Sequence, residues 1–308
     1  RFSIIPYLTG KGTHDIEAGK DMRFDGNAGL DAKVILSSSM NLDLTINPDF
    51  SQVEVDRQRT DLDRFELFFP EKRQFFLENN DLFASLGTDN IRPFFSRRIG
   101  LVDPVRAGAR LSGRMGDKWR LGLMNMQTGS EDAFFATNYG VAALQRNIFR
   151  RSNISAFLVN KQQNLLPEDT TGLNRFNRVA GIDLNLASSD NKWTGKIMAH
   201  QSFYPGADGD ATTLGGIVSY ENQKMAVGLS HTRVGADFLA EVGYIRRTGY
   251  MEFGPHFGYR FYPNSNTIAN HGPVFESSFI YDTDFNITDT ETEVGYRIDW
   301  FNRTLLTV

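Results

Sequence analysis

The 308 residues hold 33 Lys and Arg against 37 Asp and Glu, a net charge of −4, with 40% hydrophobic residues and no cysteine. That balance offers no broad positive field for a nucleic-acid backbone, and no run approaches the roughly 20 apolar residues that a spanning helix needs. A large β domain stays open, because a strand that crosses a membrane needs an apolar residue only at every second position.

In chain order, Phe2–Thr9, Gly29–Leu36 and Met40–Asn47 read as strands, the last two joined by Ser37-Ser38-Ser39. The chain opens at Arg1 without an initiator Met or apolar leader, so it reads as a mature or partial protein. From residue 105 onward the two faces of each strand differ in chemistry. Val105, Ala107, Ala109 and Leu111 alternate with Arg106, Gly108, Arg110 and Ser112. Ile182, Leu184 and Leu186 alternate with Gly181, Asp183 and Asn185, and Trp193, Ile197 and Ala199 with Thr194, Lys196 and His200. Later come Met251, Phe253, Phe257, Tyr259 and Phe261 against Glu252, Gly254, His256, Gly258 and Arg260, then Val294, Tyr296, Ile298 and Trp300 against Glu293, Gly295, Arg297 and Asp299.

A soluble sandwich also alternates, so connections discriminate better. Tight turns are expected at 116–118, around Arg150, at 189–191, 221–223 and 247–249, with longer polar connections at 128–137, 161–175, 205–211, 234–237 and 263–271. Short turns at one end and longer loops at the other are the habit of outer-membrane barrels. The expected fold is an all-β, transmembrane, antiparallel up-and-down β-barrel over 1–308, of about 16 or more strands and incomplete at its C-terminus.

The stretch 48–104 breaks the pattern: it is long, densely charged and rich in phenylalanine, which argues against both a simple loop and disorder. It reads as an insertion packed in the lumen or mouth. Three runs within it form a long motif: Asn47-Pro48-Asp49-Phe50-Ser51-Gln52-Val53-Glu54, then Arg64 to Asn79 (RFELFFPEKRQFFLEN), then Phe95-Ser96-Arg97-Arg98-Ile99-Gly100. The chain resembles, on these residues, a Bacteroidetes-type family called domain of unknown function 5916. The resemblance implies a secreted, outer-membrane barrel associated with glycans, here without the family's N-terminal domain similar to carbohydrate-binding modules. It implies no catalytic residues.

The lumen-lining candidates are Arg106, Arg110, Arg114, Asp183, Lys196, His200, Glu252, His256, Arg260 and Arg297, since basic rings in a pore attract anions. The constriction candidates are Glu54, Asp56, Arg57, Phe65, Phe68, Phe69, Phe75, Phe76 and Glu78. The arginines are expected to pair chiefly with carboxylates of 49–81 and to hold the insertion in place. His14, His200, His231, His256 and His271 lack metal-ligand spacing, and no Gly-x-Ser-x-Gly elbow marks a hydrolase. The acidic run Asp282, Asp284, Asp289, Glu291 and Glu293 departs from the EF-hand pattern and reads as a solvated loop.

No metal or cofactor is expected. Expected partners are outer-membrane lipid and lipopolysaccharide, a glycan or small solute, and other outer-membrane proteins, with no nucleic acid. The expected role is a channel, transporter or surface glycan-binding scaffold in the bacterial outer membrane, the alternative being a membrane-embedded barrel hydrolase.

Overall fold

A computed structural model describes residues 1–13, 22–48, 66–101, 103–129, 136–164 and 175–308. The strands are β1 (Phe2–Thr13), β2 (Arg23–Ser37), β3 (Met40–Ile46), β4 (Ile91–Arg92), β5 (Val105–Met115), β6 (Trp119–Thr128), β7 (Thr137–Ile148), β8 (Ser152–Gln163) and β9 (Phe176–Ala187). They continue as β10 (Trp193–Phe203), β11 (Thr212–Glu221), β12 (Met225–Val234), β13 (Tyr244–Ile245), β14 (Tyr250–Tyr259), β15 (Ile268–Tyr281), β16 (Ile287–Trp300) and β17 (Leu305–Thr307). Two short helices, α1 (Gln74–Leu77) and α2 (Asp81–Ala84), lie between β3 and β4.

All strands but β4 and β13 form one 15-stranded antiparallel sheet in which each strand neighbours its sequence successors. Among the described residues the sheet is not closed into a barrel, and β1 and β17 are its edges. The meander follows from local chemistry. Turns of two or three residues return the chain at 38–39, 116–118, 149–151 and 222–224 and one of five at 188–192, and positive φ at Gly116 (65°) and Asn191 (60°) falls on residues that tolerate it.

One expected strand is absent. The stretch between the anticipated connection at 234–237 and the anticipated turn at 247–249 belongs to a single connection, 235–249, whose β13 pairs with β4 instead of joining the large sheet. Its Phe238, Ala240, Val242 and Tyr244 do alternate, but all four are buried, so the same period serves a packed segment. Losing a strand reverses the direction of every later one. Tyr259 pairs with Met225 and Arg260 N–H bonds to Lys224 O (2.6 Å), which puts the connection 260–267 at the same end of the strands as the short turn 222–224. The expected loop 263–271 is also shorter than anticipated, since β15 begins at Ile268.

The chain divides into two compact units, one of 1–145, 157–179 and 240–246, the other of 146–156, 180–239 and 247–308. In each, aliphatic side chains are exposed along the strands, and the buried face is mixed, with Met126, Val141, Val159 and Met198 beside polar and charged groups. In the first, Leu44, Leu123, Leu144 and Leu158 are exposed, while Asp43, Thr45, Arg110 and Asn177 are buried. In the second, Ile182 (52% exposed), Ile197 (55%), Leu214 and Leu229 lie outside, while Asp183 (0%), His200, Ser155 and Thr213 are buried.

The segment 240–246 is therefore expected to be held by its own burial. Val242→Asp would place an unpaired carboxylate in an apolar site, at a cost of several kcal/mol. Limited proteolysis should then cut within 235–249, where the wild-type chain resists.

Candidate functional site

The described part of the insertion, 66–101, packs on the polar face of the first unit's strands. Its own fold is organised around Glu71. Oε1 of Glu71 accepts from the backbone N–H of Lys72 (3.0 Å) and of Arg73 (2.9 Å) and from Arg73 Nε (2.8 Å). Oε2 accepts from Arg73 Nη2 (2.7 Å) and Ser96 Oγ (2.7 Å). Arg73 in turn donates to Ile99 O (2.6 Å) and Ser96 O (2.7 Å), tying the start of the insertion to its end. Burial alone would raise the Glu71 carboxyl, but the Arg73 guanidinium, the Arg73 N–H and the Ser96 hydroxyl outweigh it and hold the group below its ordinary value of 4.5.

Among the described residues, docking onto the strands uses three cations. Arg110, 2% exposed, reaches Asp43 of β3 through Nη2 (2.7 Å) and Nε (3.3 Å), and its Nη1 donates to the carbonyl of Phe75. Lys33 of β2 pairs with Glu78, and Arg120 of β6 with Asp81. The hydrogen bond from Lys33 is the first cause that holds the Glu78 carboxyl below its ordinary value. Apolar contact completes the seat: a Cβ at Gly122 would lie 2.7 Å from the Phe83 ring, so glycine there lets α2 approach β6.

The second component, 240–246, is one that the sequence does not foreshadow. Phe95 N–H donates to Val242 O (2.7 Å), Arg98 Nε to Gly243 O (3.0 Å) and Arg246 N–H to Asn90 O (3.0 Å). The Tyr244 hydroxyl donates to Glu66 O (3.0 Å), and Arg98 pairs with Glu66 (2.5 Å). Lys161 of β8 pairs with Glu241 (2.5 Å), and Asn177 of β9 accepts from the Glu241 N–H (3.0 Å). The rings of Phe68, Phe95 and Tyr244 pack with centroids 5.1 to 6.2 Å apart. Beside this cluster lies a cavity of about 260 Å³, walled by Phe76, Phe83, Phe94 and Met124 with Arg92 and Arg110 on its lining.

The constriction candidates Phe68, Phe69, Phe75, Phe76 and Glu78 fall in this assembly, whereas Glu54, Asp56, Arg57 and Phe65 lie outside the described residues. For Arg110 the ion pair differs from expectation, while the carboxylates of 49–65 lie outside the described residues. The chief partner of Arg110 is Asp43 of the neighbouring strand, because the insertion reaches Arg110 with a backbone carbonyl; Glu71 and Glu66 are occupied by Arg73 and Arg98 of the insertion itself. Arg106 sits at a register shift between Val105 and Ala107 and is exposed, and Arg114 is exposed at the end of β5, so the three arginines do not form one ladder. The sequence offers no contrast that singles out Asp43 or Lys33.

In the second unit Asp183, Lys196 and His200 do come together. Asp183 Oδ1 meets His200 Nε2 at 2.7 Å and Oδ2 meets Lys196 Nζ at 3.3 Å. The His200 side chain is closed to solvent, which leaves no approach for a substrate. Glu252 accepts from Ser278 (2.7 Å), Arg260 pairs with Glu221 (2.7 Å), Arg297 with Asp299 (3.0 Å), and the His256 ring covers Gly228. Asp282 is satisfied by its own turn, accepting from the N–H groups of Asp284 (2.9 Å) and Asn286 (2.8 Å), and Asp289 pairs with Arg247 (2.8 Å). Among the described residues no group of three or more His, Asp or Glu is placed to hold a metal.

The family whose description reads Domain of unknown function (DUF5916) matches residues 1–112, a stretch that contains every run on which the resemblance rests. No curated protein matches the chain.

The docking geometry has two measurable outcomes. Asp43→Asn leaves a buried guanidinium without its counter-charge and should cost about 3–5 kcal/mol, whereas Lys33→Ala, at a half-exposed pair, should cost about 1 kcal/mol or less; denaturant unfolding of the two variants measures the contrast. The second concerns acid. A carboxylate whose folded pKa is depressed stabilises fully above its unfolded value and loses that contribution as pH falls through the folded one. Glu71 and Glu78 both shift downward, so the insertion should loosen on acidification below about pH 4.5, read by proteolysis within 66–101.

Proposed function

We propose that the sheet spans a bacterial outer membrane, closes around a polar interior, and passes a small solute under restriction by the insertion and the segment 240–246. The observation that carries this reading is the exposure of aliphatic side chains along the strands together with charged groups buried on their other face. Large aliphatic side chains are exposed on strand after strand, and monomeric soluble proteins rarely expose extended apolar patches, while charged side chains on the opposite face are buried and paired. In hydrocarbon that arrangement is favourable, since the backbone of a sheet is satisfied by its ladders and only the outward side chains meet lipid.

The aromatics support the same reading. Trp119, Phe149, Trp193, Phe261, Tyr262 and Phe301 are exposed at the short-turn end of their strands, and Phe24, Phe203 and Phe285 at the other. A belt of this kind suits the membrane–water interface, where an amphipathic ring is stabilised. The short-turn end would then face the periplasm. The longer connections 204–211 and 235–249 would face outward, together with the five-residue turn 282–286 at the same end of the strands, the side from which the insertion also enters.

The cysteine-free chain allows the orientation to be tested with single introduced thiols. Asp208→Cys and Asp284→Cys should react with a membrane-impermeant maleimide on intact cells, and Asp190→Cys, Gln223→Cys and Asn264→Cys should not. Labelling at position 264 equal to that at 208 would reverse the assignment. On the outer face, Ile197→Arg or Phe253→Arg should impair assembly into lipid by roughly 2–4 kcal/mol at a midplane depth. Replacing 66–92 by a short Gly/Ser link in an assembled protein should raise single-channel conductance, and unchanged conductance would remove the constriction from the proposal.

A further inference from the structure

The cavity between the insertion and strands β5 and β6 has the chemistry of a ligand site, whether or not the sheet lies in a membrane. Its walls are apolar, with Phe76, Phe83, Phe94 and Met124 nearly closed to solvent. At about 260 Å³ it exceeds the cavity of about 150 Å³ that suffices for benzene in an engineered apolar core. Of the charged groups that line it, two are engaged elsewhere. Arg110 is bound to Asp43 and Phe75 O, and both oxygens of Glu71 are taken up by Lys72, Arg73 and Ser96.

Arg92 differs. Its Nη2 donates to Asp89 (2.7 Å), whose side chain is 97% exposed, and its guanidinium lies 4.5 Å over the Phe68 ring. Its Nε is buried and has no acceptor among the described residues. A buried N–H of a cation without an acceptor is a costly state, relieved by an anion that brings its own oxygen. A surface carboxylate in water compensates that charge only weakly.

We propose that this cavity binds a small aromatic carboxylate, its ring among the phenylalanines and its carboxylate on Arg92. A ring matches the edge and face contacts that the phenylalanine walls provide, and a guanidinium already stacked on an aromatic face is well placed to take a planar anion.

The test uses the full chain refolded in detergent, with 4-fluorophenylacetate as probe and its neutral amide as control, followed by fluorine NMR. The acid should bind saturably and the amide about tenfold more weakly, the loss of one charge-assisted hydrogen bond. Met124→Trp should fill the cavity and abolish binding of both. Arg92→Gln should weaken the acid about tenfold and leave the amide unchanged. Asp89→Asn removes the exposed competitor and should tighten the acid about twofold; at so exposed a position it leaves the fold intact and keeps the test decisive should Met124→Trp fail to fold. Absence of saturable binding, equal affinity for acid and amide, or indifference to both Arg92→Gln and Asp89→Asn would overturn the proposal. None of these outcomes depends on conductance or thiol labelling, so failure here is distinguishable from failure of the membrane reading.

Discussion

The buried guanidinium of Arg110 is the constraint on which the first unit depends. A cation 2% exposed needs both a counter-charge and acceptors for its remaining N–H groups. Asp43 supplies the first from the adjacent strand, in the register Asp43 opposite Arg110, and the carbonyl of Phe75 helps supply the second from the insertion. The strands thus present one half of a hydrogen-bonding problem that only a docked insertion completes. A half-satisfied network of this kind costs more than an apolar face would, so the polar face of β3 and β5 and the presence of the insertion are linked consequences of one residue.

The insertion, by contrast, carries its own compensation. Glu71 with Arg73 and Glu66 with Arg98 are paired within it, and among the described residues the pairs that cross to the strands at Lys33 and Arg120 are partly exposed. Exposed pairs contribute about 0–1 kcal/mol each, while burying Phe76, Phe83 and Leu82 contributes about 1.5–3 kcal/mol per side chain. Apolar contact therefore supplies most of the docking free energy, and the ion pairs fix its register.

Most of the sheet is legible in the sequence because alternation has two consistent chemistries. Asp183 against Ile182 and Lys196 against Ile197 announce both the strand and its two faces. The segment 238–246 misleads for the same reason: Phe238, Ala240, Val242 and Tyr244 repeat every second residue just as a membrane strand does. Period reports extended backbone with one apolar side, and it does not report whether that side meets lipid or the rings of Phe68 and Phe95. Only long-range pairing with Ile91 and Arg92 separates the two, and no local signal encodes it.

That single strand also decides the orientation of every later one, because each antiparallel crossing exchanges the ends. With 238–246 counted as a crossing, Phe261 and Tyr262 would lie among the long loops, apart from Trp119 and Trp193. Without it they join those residues at one end, and the Tyr262 hydroxyl donates to Gln223 O in the neighbouring short turn (2.6 Å). Exposed aromatics also occur at the other end, at Phe24, Phe203 and Phe285, so backbone pairing alone fixes the parity. It gives the arrangement in which the insertion and 235–249 enter the first unit from the same end of its strands, where the two can share the pairing of β4 with β13.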